Sequence, residues 1–352
     1  MTGSKLPILF IGESWLGSCA RSLREALVRS GEPVEEISSD TVFPKWRSRF
    51  LRAALRLGAP LVTRDFRGLA LEKLEQMAPA LVLIYKGSQV GKDLVNEMRQ
   101  QGSYVVNIYP DCSPLAQGQT LREALAVYDL VVSTKPWHLD AWHKVFGYTN
   151  RCEFIPQGYD PGLHYHLVEE SNPQPIDVLL VATYRVEYGD LILALARIPA
   201  MRALRLELHG HGWRSVLNAL PPSWRVGREA HGHAYWRLVS LAKVCIAPVT
   251  REVVVDGKRY PGDEDTTRTY ELPAMGAFFI HRRTPYVQNL FKENSEVLMY
   301  DDASELAEHI LWALKNPGPR LSMRKAAQRR SVPRDSVDQR AKALLQLLGG
   351  IR

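Results

Sequence analysis

The residue types best suited to chemistry crowd into the stretch Gly262-Asp263-Glu264-Asp265 to Met275-Gly276, where Asp263 and Glu271 flank Arg268. Seven residues separate the two carboxylates, a distance of about two turns if residues 266–275 are helical. With the N-terminus of that helix facing a ligand, both carboxylates and Arg268 come to one site. A carboxylate there suits a ribose diol. Arg268, three residues before Glu271, shares its face and is placed to pair with it or with a diphosphate, which a helix N-terminus also favours. The same spacing equally fits a helix capped by Asp265 or Thr266 and carrying a surface ion pair.

Three further groups invite a chemical reading. Gly12-Glu13-Ser14-Trp15-Leu16-Gly17-Ser18 follows an apolar run and precedes a helical pattern, so Gly12 and Ser14 suit the backbone's close approach to a phosphate or sugar. Asp111, after Asn107-Ile108-Tyr109-Pro110, is a candidate general base or acceptor ligand, or else a turn residue after proline. The pairs His164/His166, His209/His211 and His231/His233 have strand-like alternation. Their neighbours are Gly, Tyr or Pro, with no adjoining carboxylate ligands, so structural or substrate-contacting histidines are expected and no metal.

Short apolar runs at 8–11, 81–85, 104–108, 130–132, 178–182, 204–208, 244–247, 277–280 and 297–300 alternate with helical patterns. That is the signature of parallel strands buried on both faces, hence an α/β class with doubly wound sheets. The pattern lapses between Arg151 and Asp177, through Pro156-Gln157-Gly158 and Ser171-Asn172-Pro173-Gln174-Pro175. The boundary expected there divides residues 1–155 from 156–318, with 319–352 as C-terminal helices packing back toward the first domain. Two Rossmann-like halves facing a cleft would leave a ligand site where their strand-end loops converge.

The chain has 352 residues, 45 Lys plus Arg against 38 Asp plus Glu and four dispersed cysteines. This excludes disordered, collagenous and disulfide-framework classes. No apolar run reaches the length of a membrane span, and 5–11 is too short for a signal-peptide core, so a cytoplasmic protein is expected. The net charge of +7 favours anionic partners.

Between residues 43 and 67 stand seven basic residues, among them Lys45, Arg47, Arg49, Arg52 and Arg56, and a single acid, Asp65. Trp46, Phe50, Ala53 and Leu57 form a helical apolar stripe beside them. Contact with an anionic membrane or acceptor fits this pattern, as does a helix packed on the first domain with solvated arginines. Nucleic acid is not expected, because no binding motif or stacking platform accompanies the charge.

Thr267-Arg268-Thr269-Tyr270-Glu271-Leu272-Pro273-Ala274-Met275-Gly276, followed by Thr284-Pro285, Leu290-Phe291 and Glu296-Val297, resembles the C-terminal half of spore-maturation CgeB-like glycosyltransferases, within the group 1 glycosyltransferases of the GT-B fold. Phe154 to His164, Leu180 to Arg185 and His209-Gly210-His211-Gly212-Trp213 resemble, in order, that family's interdomain entry, first donor-domain strand and Gly-x-Gly-Trp turn. The resemblance spans roughly residues 150–317.

What the resemblance implies is a nucleotide-sugar held mainly by the second domain. Glu271 would take the ribose hydroxyls and Arg268 and Arg185 the diphosphate, with Gly12, Ser14, Gly158, Gly212, Thr267 and Thr269 completing the donor site. Asp263 would sit where the family's first acidic residue, usually Glu, meets the donor sugar. Asp111, Asp263 and Arg268 are the catalytic candidates, while Asp111 and His138 would face the acceptor. The expected reaction is sugar transfer to a glycan, lipid-linked or other cell-envelope acceptor, retaining and without a metal or other cofactor, by a cytoplasmic enzyme attached peripherally to the membrane. The rivals are an NAD(P)-dependent oxidoreductase of double Rossmann architecture and a non-catalytic nucleotide- or glycan-binding protein.

Overall fold

A computed structural model describes residues 7–42, 49–166 and 173–349, excluding the side chains of 42 and 49–62. The chain divides into two compact units: Met1–Pro156 with Val253–Tyr260 and Val337–Arg352, and Gln157–Glu252 with Pro261–Ser336.

The first unit is built on β1 (Ile8–Gly12), β2 (Val34–Ser38), β3 (Leu81–Tyr85), β4 (Tyr104–Tyr109), β5 (Leu130–Ser133) and β6 (Arg151–Phe154). They form one parallel sheet in the order β2-β1-β3-β4-β5-β6. Leu9 and Ile11 join the core on one face while Ile8 and Phe10 join that on the other, as two-residue periodicity requires. The order reverses between β1 and β3, so the loops after Gly12 and Tyr85 flank a switch point. In this unit the apolar runs of the sequence correspond to the four central strands. The edge strands β2 and β6 carry Glu35, Glu36, Arg151 and Glu153, and have no apolar run because one side of each meets solvent.

The second unit repeats the plan with β7 (Ile176–Val181), β8 (Leu206–His209), β9 (Arg225–Gly227) and β10 (Ala242–Ala247). Along the chain a separate hairpin, β11 (Glu252–Val255) and β12 (Lys258–Pro261), whose residues 253–260 belong to the first unit, interrupts the second before β13 (Phe279–Arg282) and β14 (Leu298–Tyr300). The parallel order is β14-β13-β10-β7-β8-β9, with its reversal between β7 and β10. The hairpin turns on Asp256-Gly257, both at positive φ (50° and 74°), the Asp-Gly signal of a tight two-residue turn that periodicity alone passes over.

Only one of the two C-terminal helices returns to the first unit. Val337–Leu347 packs on Cys19–Arg29, burying Val337, Ala341 and Leu344 in the first unit's core. Pro317–Ser331 stays with the second unit against Thr267–Ala274, because its buried Met323 and Ala327 belong to that unit's cores. The expectation that everything after residue 318 packs back is corrected accordingly. Among the described residues no helix is long and apolar enough to cross a membrane.

Candidate active site

In the second unit the chemical residues gather at the carboxyl ends of β7 and β10, on either side of the switch point. The helix Thr267–Ala274 starts there. Arg268 in its first turn donates from Nη1 to the carbonyl of Val181, the last residue of β7, at 3.4 Å, and from Nη2 to that of Pro248, just past β10, at 3.0 Å. Its Nε is covered and has no hydrogen-bond partner among the described residues. The guanidinium thus straps two strand ends together and keeps an unspent donor.

Local sequence explains why this helix begins where it does. Thr266 is the N-cap, and its N–H donates to Thr269 Oγ1 at 3.0 Å. Thr269 Oγ1 lies 2.8 Å from His281 Nε2, and His281 Nδ1 lies 2.7 Å from the carbonyl of Arg282. Burial pushes the His281 imidazole down to about 4, so the ring is neutral, with Nδ1–H donating and Nε2 accepting the threonine proton. Thr269 is fully buried and its hydroxyl is engaged on both sides, so it fixes the helix start from within. Thr267, half-buried, opens the first turn.

Glu271 follows Arg268 by one turn and is 8% exposed. No Arg or Lys among the described residues lies within ion-pair reach of it, and His164 Nε2 stands 4.0 Å from its Oε1. His164 comes from the segment entering the unit. Asp160 caps the short turn Pro161–His164 by accepting the Gly162 N–H at 2.9 Å, and the Asp160 N–H donates to His164 Nδ1 at 3.1 Å. Gly158 precedes this turn and is half-buried. Tyr235, from helix Gly232–Ser240, meets the His164 ring edge-on at 6.0 Å. Burial first, and then the neighbouring Glu271 carboxylate, push the Tyr235 phenol well up, with Arg268 opposing.

The loops after β7 and β8 complete the rim. Ala182 and Tyr184 donate their N–H groups to the carbonyls of His209 and His211, and Trp213 Nε1 donates to the Ala182 carbonyl at 2.6 Å. Gly210 (φ 140°) makes this approach feasible, since a Cβ there would fall 2.1 Å from the Ala182 oxygen; at Gly212 (φ 90°) a Cβ would fall 2.8 Å from Tyr184 Cβ. Arg185, the exposed N-cap residue of helix Val186–Arg197, has no side-chain partner among the described residues. Asp263 is half-buried and held by its backbone: its N–H donates to the Thr250 carbonyl at 2.7 Å, and Gly262 passes so close that a Cβ would fall 2.0 Å from the same oxygen.

The first unit holds the remaining candidates. Gly12 ends β1, and the Ser14 N–H donates to Asp40 Oδ1 at 2.6 Å. Asp111 pairs with Lys86 at 2.8 Å; Lys86 sits past β3 at a positive φ of 62° and was not anticipated from the sequence. His138 departs from expectation. It is fully buried, Ser133 Oγ lies 2.7 Å from Nδ1, the Cys112 carbonyl lies 2.7 Å from Nε2, and burial pushes the ring down to about 4. A neutral ring with both nitrogens engaged orders the turn after β4 and presents nothing to an acceptor. Lys45 and Arg47 lie outside the described residues. Arg49, Arg52 and Arg56 fall on helix Arg49–Met77, whose later turns bury Phe66, Ala70 and Leu74 in the first unit's core.

Residues 190–346 match the family model described as glycosyl transferase-like. That stretch, somewhat under half of the chain, is similar to glycosyl transferase-like domains. No curated protein matches the chain in sequence. Among solved structures, sucrose-phosphate synthase from Thermosynechococcus elongatus is similar at 17% identity over 99% of both chains, with a TM-score of 0.70. Anabaena HepE in complex with UDP-glucose is similar at 14% identity over 98% of this chain and 99% of that one, with a TM-score of 0.67. A glycosyltransferase from Rickettsia africae matches at 12% identity over 99% of each chain, with a TM-score of 0.65. These likenesses establish the GT-B fold, two Rossmann-like parallel-sheet domains. Arg268, Glu271 and the Gly210–Gly212 loop lie within the matched residues, whereas Arg185 and His164 precede them.

Among the described residues no three His, Cys, Asp or Glu side chains come together in a metal-binding group. His209 turns to Glu207, His211 to Glu229, and His166 stacks on Trp236 at 4.0 Å.

Proposed function

We propose that the protein transfers a sugar from a nucleoside-diphosphate donor, that it is of the spore-maturation CgeB-like type, and that its acceptor is a glycan, lipid-linked or other cell-envelope molecule. The observation that carries the donor reading is Arg268 at the carboxyl ends of β7 and β10, in the first turn of its helix, with Glu271 one turn further along the same helix. A diphosphate there meets a positive helix end, Arg268 and the unpartnered Arg185; a ribose diol one turn away meets a carboxylate. The UDP-glucose in the HepE structure supports the same reading.

In the proposed reaction the bond between the anomeric carbon and the diphosphate oxygen breaks. A new bond forms from the acceptor oxygen to that carbon, and the acceptor proton passes to the departing diphosphate. Arg268 and Arg185 offset the charge that develops on the leaving group, which removes the need for a metal ion. Asp263 contacts the donor sugar. In the first unit Gly12, Ser14 and the Lys86–Asp111 pair contact substrate, with Asp111 orienting the acceptor hydroxyl. Retention of anomeric configuration follows if attack and departure share one face of the sugar. The enzyme acts in the cytoplasm, with the basic stretch at 43–67 against the anionic inner face of the membrane.

The deciding experiment is a thermal-shift panel of UDP, GDP, CMP, dTDP, ADP and their sugars, with NAD and NADP as controls, followed by donor turnover with and without EDTA. Stabilisation by one nucleoside diphosphate, and turnover that survives EDTA, are expected. Stabilisation by NAD or NADP alone would replace the transferase reading with an oxidoreductase. Binding with no turnover or donor hydrolysis would replace it with a binding protein.

A further inference from the structure

Glu271 is a buried carboxylate one turn into a helix whose first turn holds a cation, yet no Arg or Lys among the described residues lies within ion-pair reach of it. What surrounds it is a pair of neutral donors. His164 accepts the Asp160 N–H on Nδ1, so the nitrogen turned to Glu271 is the protonated Nε2. At 4.0 Å it stands just beyond a hydrogen bond. The Tyr235 hydroxyl is covered, lies beside the same carboxylate and makes no well-formed hydrogen bond to a described residue. Because burial and Glu271 both oppose ionisation of this phenol, it keeps its proton and serves as a donor.

An unsatisfied buried hydroxyl is costly, so the Tyr235 O–H and the His164 Nε2–H, both beside the Glu271 carboxylate, are placed to donate to it. Two donors on the protein side would leave the outward lone pairs of a carboxylate fixed in direction. That is the arrangement needed to accept two hydroxyl protons from one vicinal diol. The capped turn Asp160–His164 gives one donor its orientation and helix Gly232–Ser240 supplies the other, so the device unites two separate segments of the second unit.

We infer that His164 and Tyr235 are positioning residues that hold Glu271 in the orientation that selects ribose over 2′-deoxyribose in the donor. This rests on the assignment of Glu271 to the ribose. The test uses whichever nucleoside diphosphate of the panel stabilises the protein best, together with its 2′-deoxy counterpart, titrated by calorimetry into the full chain. In Tyr235→Phe and His164→Leu the ribo-to-deoxy preference is expected to fall about fivefold each, the worth of one hydrogen bond, mainly through weaker binding of the ribonucleotide. His164→Gln, which keeps an N–H near the position of Nε2, should recover most of the preference. A merely structural role would weaken both nucleotides alike.

The outcomes separate cleanly. Loss of preference in Glu271→Gln but not in Tyr235→Phe or His164→Leu overturns the positioning role alone. Unchanged preference in Glu271→Gln, or no response to any nucleoside diphosphate, overturns the ribose assignment beneath it. Tyr235→Phe removes a single buried oxygen, so it remains a valid test even if His164→Leu fails to fold.

Discussion

Arg268→Lys separates a structural strap from a ligand-binding cation. The guanidinium spans the carbonyls of Val181 and Pro248 with one N–H from each Nη and keeps a second N–H on each, whereas an ammonium on a flexible stem cannot bridge both oxygens and also offer a fork to a diphosphate. The strap component is two hydrogen bonds from a charged group, one of them long at 3.4 Å and the group half-exposed, so about 1–2 kcal/mol of the second unit's stability is at stake. In a unit of this size that lowers the melting temperature by about 2–8 °C. The binding component is a charge-assisted, two-pronged contact worth about 1.5–3 kcal/mol, or a tenfold to 150-fold rise in the Kd of the best nucleoside diphosphate. Thermal melts of the unliganded protein read the first quantity and calorimetric titration the second. A variant that melts early but binds nucleotide with unchanged Kd would leave Arg268 as a strap only and remove it from the donor site.

His138 and His281 are buried neutral with values near 4, below the 6.5 of a free imidazole. The unfolded chain therefore takes up protons first, and the stability these rings protect is complete above pH 6.5 and lost as pH falls toward 4. Between pH 7.5 and 5 each unit should lose about 2 kcal/mol in denaturant titrations, and a flat profile would contradict both assignments. Gly262→Ala forces a Cβ to within 2.0 Å of the Thr250 oxygen, so a loss of about 1–3 kcal/mol and a displaced Asp263 are expected, read as a lower melting temperature together with reduced donor turnover. Replacing Arg47, Arg49, Arg52 and Arg56 together with Gln should abolish co-sedimentation with anionic liposomes; retained binding at the same salt concentration would exclude the basic stretch as the membrane contact.

How much of this was legible in the chain itself follows from burial. Central strands such as β3 and β10 are covered on both faces and must be apolar throughout, so they stand out as runs. Their alternation with helices determined the doubly wound class, and the Asp263–Arg268–Glu271 spacing, with Asp265 or Thr266 as candidate cap, marked the helix of interest, which the structure caps with Thr266. The edge strands β2, β6 and β9 escaped because charged residues interrupt them where one side meets solvent, whereas the buried edge strand β14 stood out as a run; the hairpin escaped because its signal was Asp256-Gly257 and not a periodicity. At the site, the sequence by itself determined which residue types stand one turn apart on one helix. Only the tertiary structure decided that Arg268 ties β7 to β10, that Thr269 and His138 face inward with every polar atom engaged, and that His164 and Tyr235 converge on Glu271. Those contacts join residues far apart in the chain, and the pairing of two buried donors with one carboxylate leaves no periodic trace along it.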